Sequence, residues 1–132
     1  MASVSIKPAF IEHVNITVSD PDRAADMLEA LFDWKERWRG PSNMGGWTIH
    51  VGTEHHYLAL YTKGEGHGRS LGHAKGAPLN HVGIQVDDLA EVERRVVALG
   101  LTPFSHSDVP PGRRFYFFCP DGIEYEILSY RS

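Results

Sequence analysis

The chain has 132 residues, of which 42% are hydrophobic and 23% charged, and a formal net charge of -4 at pH 7. This length predicts one domain that buries its core without disulfides. Because the net charge is negative and there is no basic run, we expect no nucleic-acid partner. The N-terminus lacks the pattern of a signal peptide and no segment approaches the roughly 18 apolar residues of a membrane span, so we expect a cytoplasmic protein without membrane contact.

The cysteine content limits the kinds of metal site that the chain can form. Cys119 is the only cysteine, which excludes an internal disulfide and a cysteine-based zinc cluster. Any bound metal would therefore use histidine and carboxylate ligands. Eight histidines are present, but an isolated histidine is more often a surface or core residue than a ligand, so each needs an argument from its position.

The first predicted unit spans about residues 9–62 and has the order βαβββ. Its first strand contains His13 and leads into Asp20 as helix N-cap and Pro21 as the first helical residue. Apolar residues then recur at helical spacing until about Asp33. The strands predicted after the helix are Trp34 to Arg39, Gly46 to Val51 and His55 to Thr62.

A glycine-rich segment follows the first unit. Lys63 to Pro78 contains five glycines and shows no apolar periodicity. This composition predicts a linker between two structural units. A mobile lid over a site is the alternative interpretation.

The second predicted unit spans about residues 79–130 and repeats the order βαβββ. Asp87 or Asp88 caps its helix, and Gly100 ends it. The apolar residues predicted to face inward from this helix are Leu89, Val92, Val96 and Leu99. The strands predicted after it are about Thr102 to His106, Arg113 to Cys119 and Ile123 to Tyr130.

The two units begin with the same motif, because LNHVGIQVDD at residues 79–88 repeats IEHVNITVSD at residues 11–20. Strand alternation sends successive side chains to opposite faces. His13 and Asn15 therefore lie on the polar face of the first copy, as His81 does in the second. If these two strands pair, His13 and His81 come together on one side of a sheet, which is a hypothesis for a metal site.

The duplicated βαβββ unit, the histidine in the first strand of each copy and the terminal segment CPDGIEYE resemble the vicinal-oxygen-chelate superfamily of glyoxalases, fosfomycin and bleomycin resistance proteins and extradiol dioxygenases. The resemblance covers nearly the whole chain. It implies an α+β fold in which two tandem βαβββ modules form a curled mixed sheet, or cup, with the helices outside. It also implies a small-molecule substrate, and we expect a homodimer.

The resemblance implies that His13, His81 and Glu126 bind a divalent metal ion. Two imidazoles and one carboxylate form a facial triad that leaves positions open for substrate. Fe(II) is favoured, and Mn(II), Ni(II) or Zn(II) are the alternatives. Ala59 stands where glyoxalase I has a fourth ligand, and alanine cannot bind metal.

The segment GTEHHYLALYT resembles the extradiol dioxygenases, and this likeness implies that His56 is an acid-base group, with Tyr116 and His106 as further catalytic residues. One alternative is a glyoxalase-like lyase or isomerase, or a thiol transferase like the fosfomycin-resistance enzymes. Another is a non-catalytic protein that binds a small molecule such as an antibiotic. The tryptophans Trp34, Trp38 and Trp47 are more typical of core or interface positions than of a substrate platform. The residues that we expect to line the substrate pocket are Asn15, Thr48, His50, Tyr57 and Ala59.

Overall fold

The computed structural model describes residues 11–42, 45–63, 79, 81–108 and 112–130, which form two successive βαβββ units as predicted. Apart from Lys63, the predicted linker at residues 63–78 lies outside these described residues. The N-terminal unit consists of β1 (His13–Thr17), α1 (Pro21–Phe32), β2 (Lys35–Pro41), β3 (Trp47–Gly52) and β4 (Tyr57–Thr62). The C-terminal unit consists of β5 (Val82–Gln85), α2 (Leu89–Ala98), β6 (Phe104–Ser107), β7 (Arg113–Phe118) and β8 (Glu124–Ser129).

Each unit forms its own four-stranded mixed sheet. The strand orders are β1-β4-β3-β2 and β5-β8-β7-β6, and the sheets are not closed into a barrel. In each sheet the first strand runs parallel to the last one, and the other neighbours are antiparallel. The predicted α+β class with tandem βαβββ modules is therefore confirmed. Among the described residues, β1 and β5 each lie at the edge of their own sheet.

Both helices begin at the predicted aspartate caps. The Asp20 carboxylate accepts a hydrogen bond of 3.2 Å from the Arg23 backbone N–H, and Pro21 is the first residue of α1. In α2 the cap is Asp88, whose carboxylate accepts a bond of 3.0 Å from the Glu91 N–H. These caps satisfy backbone donors that have no partner inside the helix. Within the described ranges, neither helix has the length and apolarity needed to cross a membrane.

The apolar stripe of α2 is shorter than the sequence predicts. Leu89, Val92 and Val96 are buried as expected. The prediction that Leu99 faces inward is wrong, because the helix ends at Ala98 and Leu99 is exposed. A residue beyond the last helical turn no longer follows the helical spacing of the stripe.

The hydrophobic core lies between the two helices and the sheet faces that they cover. Side chains alternate along a strand, so each residue buried against a helix leaves its neighbours on the opposite face. Phe115 and Phe117 are fully buried in β7, which leaves Arg114 and Tyr116 on the other side of the sheet. The core cluster includes Leu28, Leu31, Ile49, Val51 and Leu60 of the N-terminal unit and Val96, Tyr125 and Ile127 of the C-terminal unit.

Polar contacts also join the two units. The Ser19 backbone N–H donates a 3.0 Å hydrogen bond to the Asp121 carboxylate in the turn between β7 and β8. Arg95 of α2 donates to the Asp33 carboxylate (3.0 Å) and to the Leu31 carbonyl (3.4 Å) at the end of α1. These contacts and the shared core hold the sheets in one arrangement.

We expect Gly52→Ala to lower the free energy of unfolding by about 1–3 kcal/mol, because added core atoms force the backbone to shift. A Cβ at Gly52 would overlap the His56 carbonyl oxygen and lie 2.6 Å from the Tyr57 Cα. The control is Gly83→Ala, where the nearest atoms would be 3.9 Å away. Urea unfolding of both variants tests this prediction, and equal stability of the two would contradict it.

Candidate functional site

A charged cluster lies on the sheet face of the C-terminal unit that points away from the core. His81 Nε2 lies 2.9 Å from Glu126 Oε1, and Arg114 Nη1 donates a 2.9 Å hydrogen bond to Glu126 Oε2. The strand register produces this cluster, because Tyr116 of β7 and Gly83 of β5 are the partners of Glu126 on either side. Both oxygens of the carboxylate therefore have a partner.

The burial of this cluster explains why its charges are paired. The Glu126 side chain is 11% exposed, that of Arg114 28% and that of His81 32%. Removing a carboxylate from water is unfavourable unless hydrogen bonds and an opposite charge replace the lost hydration. Arg114 supplies that charge, and His81 contacts the second oxygen of the Glu126 carboxylate.

Aromatic rings enclose one side of the charged cluster. The Tyr116 ring contacts His81 edge-on, with ring centroids 5.8 Å apart and planes at 88°. Phe104 stacks on Tyr116 at 6.0 Å and on Phe118 at 5.3 Å. His81, Tyr116 and Glu126, three of the predicted site residues, are thus together on one face.

The chemistry of His81 and Glu126 fits a metal ion. Two ligands that bind one ion at about 2.0–2.2 Å and at near right angles lie roughly 3 Å apart, which agrees with their 2.9 Å separation. In the part of the chain that the structure describes, no group of three or more His, Cys, Asp or Glu side chains could hold a metal ion. The chain thus brings together two of the three predicted ligands.

The third predicted ligand, His13, belongs to an aromatic row on the N-terminal unit. Tyr57 stacks between His13 and His50, with centroid distances of 4.9 Å and 4.5 Å, and Trp38 contacts His50 at 5.2 Å. The Arg37 guanidinium lies 4.3 Å above the Tyr57 ring. We call His13, Tyr57, His50 and Trp38 the aromatic row. It joins three predicted site residues to a half-exposed tryptophan.

Burial and nearby charge alter the titration of the aromatic row. Burial lowers the pKa of His50, and the positive charges of His13 and Arg37 lower it further. Burial raises the pKa of Tyr57, and the Glu12 carboxylate adds to the effect. Protonation of His50 is therefore disfavoured. A carboxylate oxygen of Glu12 lies 2.9 Å from His13 Nδ1.

The remaining predicted pocket residues lie beside the aromatic row. Asn15 and His50 are the register partners of Ala59 on its two sides. Thr48 is buried, and its hydroxyl has no hydrogen-bond partner among the described residues. A buried hydroxyl without a partner is unfavourable, so this face offers a polar contact to a ligand or a water molecule.

Two predicted catalytic histidines lie outside the charged cluster. His56 is in the turn before β4, where its backbone N–H donates to Thr53 and its ring lies 6.0 Å from the Trp34 ring. His106 lies 2.7 Å from the Glu93 carboxylate of α2 and stacks on Phe115, which places it on the helix side of the sheet.

An irregularity in β6 explains the position of His106. The β6–β7 register shifts between Phe104 and Ser107, and Ser105 has a positive φ of 54°. Regular alternation would put Phe104 and His106 on the same face. The irregularity instead leaves Phe104 against Tyr116 while His106 contacts α2. Arg114 is not among the predicted site residues, although strand alternation from Tyr116, two positions away, could have identified it.

A cavity of about 720 Å³ lies where the two units meet. Residues of β1 and of β5 both line this cavity, which forms a groove between the two units. Both His13 and His56 line it, together with Tyr57, Gly83 and Gln85. The groove thus connects the aromatic row with the strand that follows His81.

The fold defines a class of small α+β proteins made of paired βαβββ units. A family model of the Glyoxalase/Bleomycin resistance protein/Dioxygenase superfamily matches residues 10–127. The chain belongs to this superfamily. No curated protein matches the sequence.

Solved structures share this fold. A glyoxylase/bleomycin resistance protein/dioxygenase domain from Frankia sp. EAN1pec superposes with a TM-score of 0.77 at 24% identity, covering 95% of this chain and 100% of that one. TnmS3, an antibiotic binding protein from Streptomyces sp. CB03234, gives a TM-score of 0.73 at 17% identity, covering 95% and 98%. The fosfomycin resistance protein FosX from Listeria monocytogenes, complexed with Mn(II) and sulfate, gives 0.68 at 19% identity, covering 93% of each. At these identities the likeness establishes the fold.

We expect His50 to titrate below the ordinary value of about 6.5 for histidine, because burial and two neighbouring cations disfavour its protonation. By linkage, protonation of His50 in the unfolded chain then removes stability as pH falls through about 6.5. Arg37→Gln should raise the pKa of His50. Arg39→Gln should not, because Arg39 pairs with Glu36 and Asp22. NMR titration of the imidazole protons in the presence of chelator measures this. A midpoint above that of free histidine would refute it.

Proposed function

We propose that this protein is a metal-dependent enzyme that acts on a small molecule with neighbouring oxygen atoms. The observation that carries the proposal is the cluster of His81, Tyr116 and Glu126, in which a histidine nitrogen and a carboxylate oxygen are 2.9 Å apart. Imidazole with carboxylate suits Fe(II), Mn(II), Ni(II) or Zn(II). The FosX neighbour in complex with Mn(II) supports a divalent ion on this fold.

We assign the third metal ligand to His13 of a second copy of the chain. His13 and His81 hold equivalent positions in the repeated motif, at the starts of β1 and β5. In the described part of the chain both strands lie at sheet edges, and an edge strand can bind another strand. A twofold dimer that pairs β1 of one protomer with β5 of the other brings each His13 to the other protomer's His81 and forms two identical sites.

Each residue then has a separate role. His81 and Glu126, with His13 from the second copy, hold the metal, which as a Lewis acid would polarise an oxygen of the substrate. Tyr116, whose ring contacts His81, donates its hydroxyl hydrogen to an oxygen that gains negative charge. The aromatic row holds the body of the substrate by stacking.

The geometry favours a lyase, isomerase or transferase reaction over the dioxygenase reaction that the sequence favours. The extradiol interpretation relies on His56 and His106 near the metal ligands. His106, which that interpretation also needs, contacts Glu93 on the helix side of the sheet, opposite the face that holds Glu126. Tyr116 is the group next to His81 that can exchange a hydrogen bond with a substrate oxygen.

We expect tag-free, chelator-treated protein to bind Mn(II), and His13→Ala, His81→Ala and Glu126→Ala each to weaken this binding at least about 10-fold. Random mixing of His13→Ala with Glu126→Ala protomers should restore roughly a quarter of the sites, because half of the dimers are mixed and each has one intact site.

The control mixture combines His81→Ala with Glu126→Ala. Both changes affect ligands that one protomer supplies to the same site, so no mixed dimer has an intact metal site. Isothermal titration calorimetry with Mn(II) measures the number of sites. Equal recovery in the two mixtures, or none in the first, would exclude a site shared between protomers.

A second candidate function is non-catalytic binding of a planar small molecule. The aromatic row favours it, because a half-exposed Trp38 next to His50 and Tyr57 offers a stacking surface. The structural neighbour TnmS3 is an antibiotic binding protein. This function requires no metal.

We expect Fe(II)-reconstituted protein to consume no oxygen with a panel of catechols and to turn over hemithioacetals or epoxides only when metal is present. Oxygen uptake that His56→Ala abolishes would instead identify a dioxygenase. Tight binding by the metal-free protein, without turnover and lost in Trp38→Ala but not in Trp47→Ala, would identify a binding protein. Oxygen electrode, product analysis and calorimetry distinguish the three results.

A further inference from the structure

Arg114 has hydrogen-bonding capacity that its contact with Glu126 does not use. A guanidinium group carries five N–H donors in a planar fork. Within the described chain, Nη1 is the only nitrogen of Arg114 with a hydrogen-bond partner, and that partner is Glu126 Oε2. The side chain is 28% exposed. The remaining donors are therefore available to a ligand on the same sheet face.

The charges of the cluster favour an anionic ligand. Arg114 and Glu126 neutralise each other, and His81 is neutral when it binds a metal. A divalent ion held by His81 and Glu126 would leave this half-buried face with a net charge of about +2. Such a charge in a partly desolvated site attracts an anion more strongly than it would in water.

We propose that Arg114 is a specificity-determining residue that selects substrates with an anionic oxygen group, such as a carboxylate or a phosphonate. The inference rests on the proposed function, because it concerns the face that holds the metal ligands. The planar fork of arginine matches the two oxygens of such a group. Phe104 and Tyr116, which stack at 6.0 Å on this face, provide an apolar surface for the rest of the molecule.

The competing explanation is that Arg114 only neutralises the buried Glu126 carboxylate. The two explanations differ in what removal of the guanidinium does. If Arg114 only supports Glu126, its removal weakens Mn(II) binding and leaves no specific effect on anions. If Arg114 contacts the ligand, its removal weakens binding of anionic ligands and leaves neutral ones unaffected.

The test uses benzoate, phenylphosphonate and neutral benzamide as matched probes for calorimetry, with Mn(II) affinity measured in the same samples. We expect the unmodified protein to bind an anionic probe at least about 10-fold more tightly than benzamide. Measured at saturating Mn(II), Arg114→Gln should remove this preference and keep benzamide affinity, while Mn(II) affinity falls about 10-fold because Glu126 loses its hydrogen-bond partner. Arg114→Lys should retain part of the preference, because it keeps the charge without the planar fork. Whichever of benzoate and phenylphosphonate binds more tightly identifies the kind of anion.

The matched control is Arg113→Gln, which makes the same change in net charge on the neighbouring residue. Arg113 is exposed and pairs with Asp108 at 3.3 Å, so this variant should keep the preference. Equal affinity of the unmodified protein for all probes would overturn the proposal. A preference that survives in Arg114→Gln or is lost in Arg113→Gln would also overturn it. If Arg114→Gln does not fold, Arg114→Lys decides, because an undiminished preference there would refute a role for the fork.

The proposed metal function can fail separately from this inference. Absence of Mn(II) binding by the unmodified protein would refute the metal site. A preference for anionic probes that depends on Arg114 and not on Arg113 would still establish the anion site in that case.

Discussion

The charge of Glu126 sets the constraint on which the C-terminal unit depends. A carboxylate in a side chain that is 11% exposed needs partners for both oxygens. His81 and Arg114 meet this need only when β5, β8 and β7 lie side by side in their observed register. The same register puts Tyr116 beside Glu126. The packing of the residues that face the helices therefore determines where the side chains of the charged cluster lie on the opposite face of the sheet.

The two units use one framework for different chemistry. Ala59 and Glu126 hold equivalent register positions, but the alanine leaves the N-terminal face without a buried charge, and stacked rings occupy it instead. One unit thus presents a charged cluster and the other a stacking surface. The equivalent pairs of residues are Ala59 and Glu126, His50 and Tyr116, and Thr48 and Arg114.

The open strand edges explain how these different faces can form one site. In the described residues the first strand of each sheet, β1 or β5, lies at a sheet edge, and both strands line the groove between the units. In the proposed dimer, pairing these edges between two copies would satisfy backbone groups that otherwise rely on water. It would also bring the stacked rings of one copy to the charged cluster of the other.

The sequence by itself determined the elements and the faces, because helix caps and strand alternation are local properties. Asp20 caps the first helix as predicted, and Asp88 is one of the two caps predicted for the second. Alternation put His81 on the polar face of its strand, and the family resemblance added Tyr116 and Glu126. Tertiary structure alone decided that His106 turns toward α2 and that Arg114 pairs with Glu126. A register irregularity and a cross-strand ion pair depend on hydrogen bonds between strands distant in sequence, and no local pattern records them.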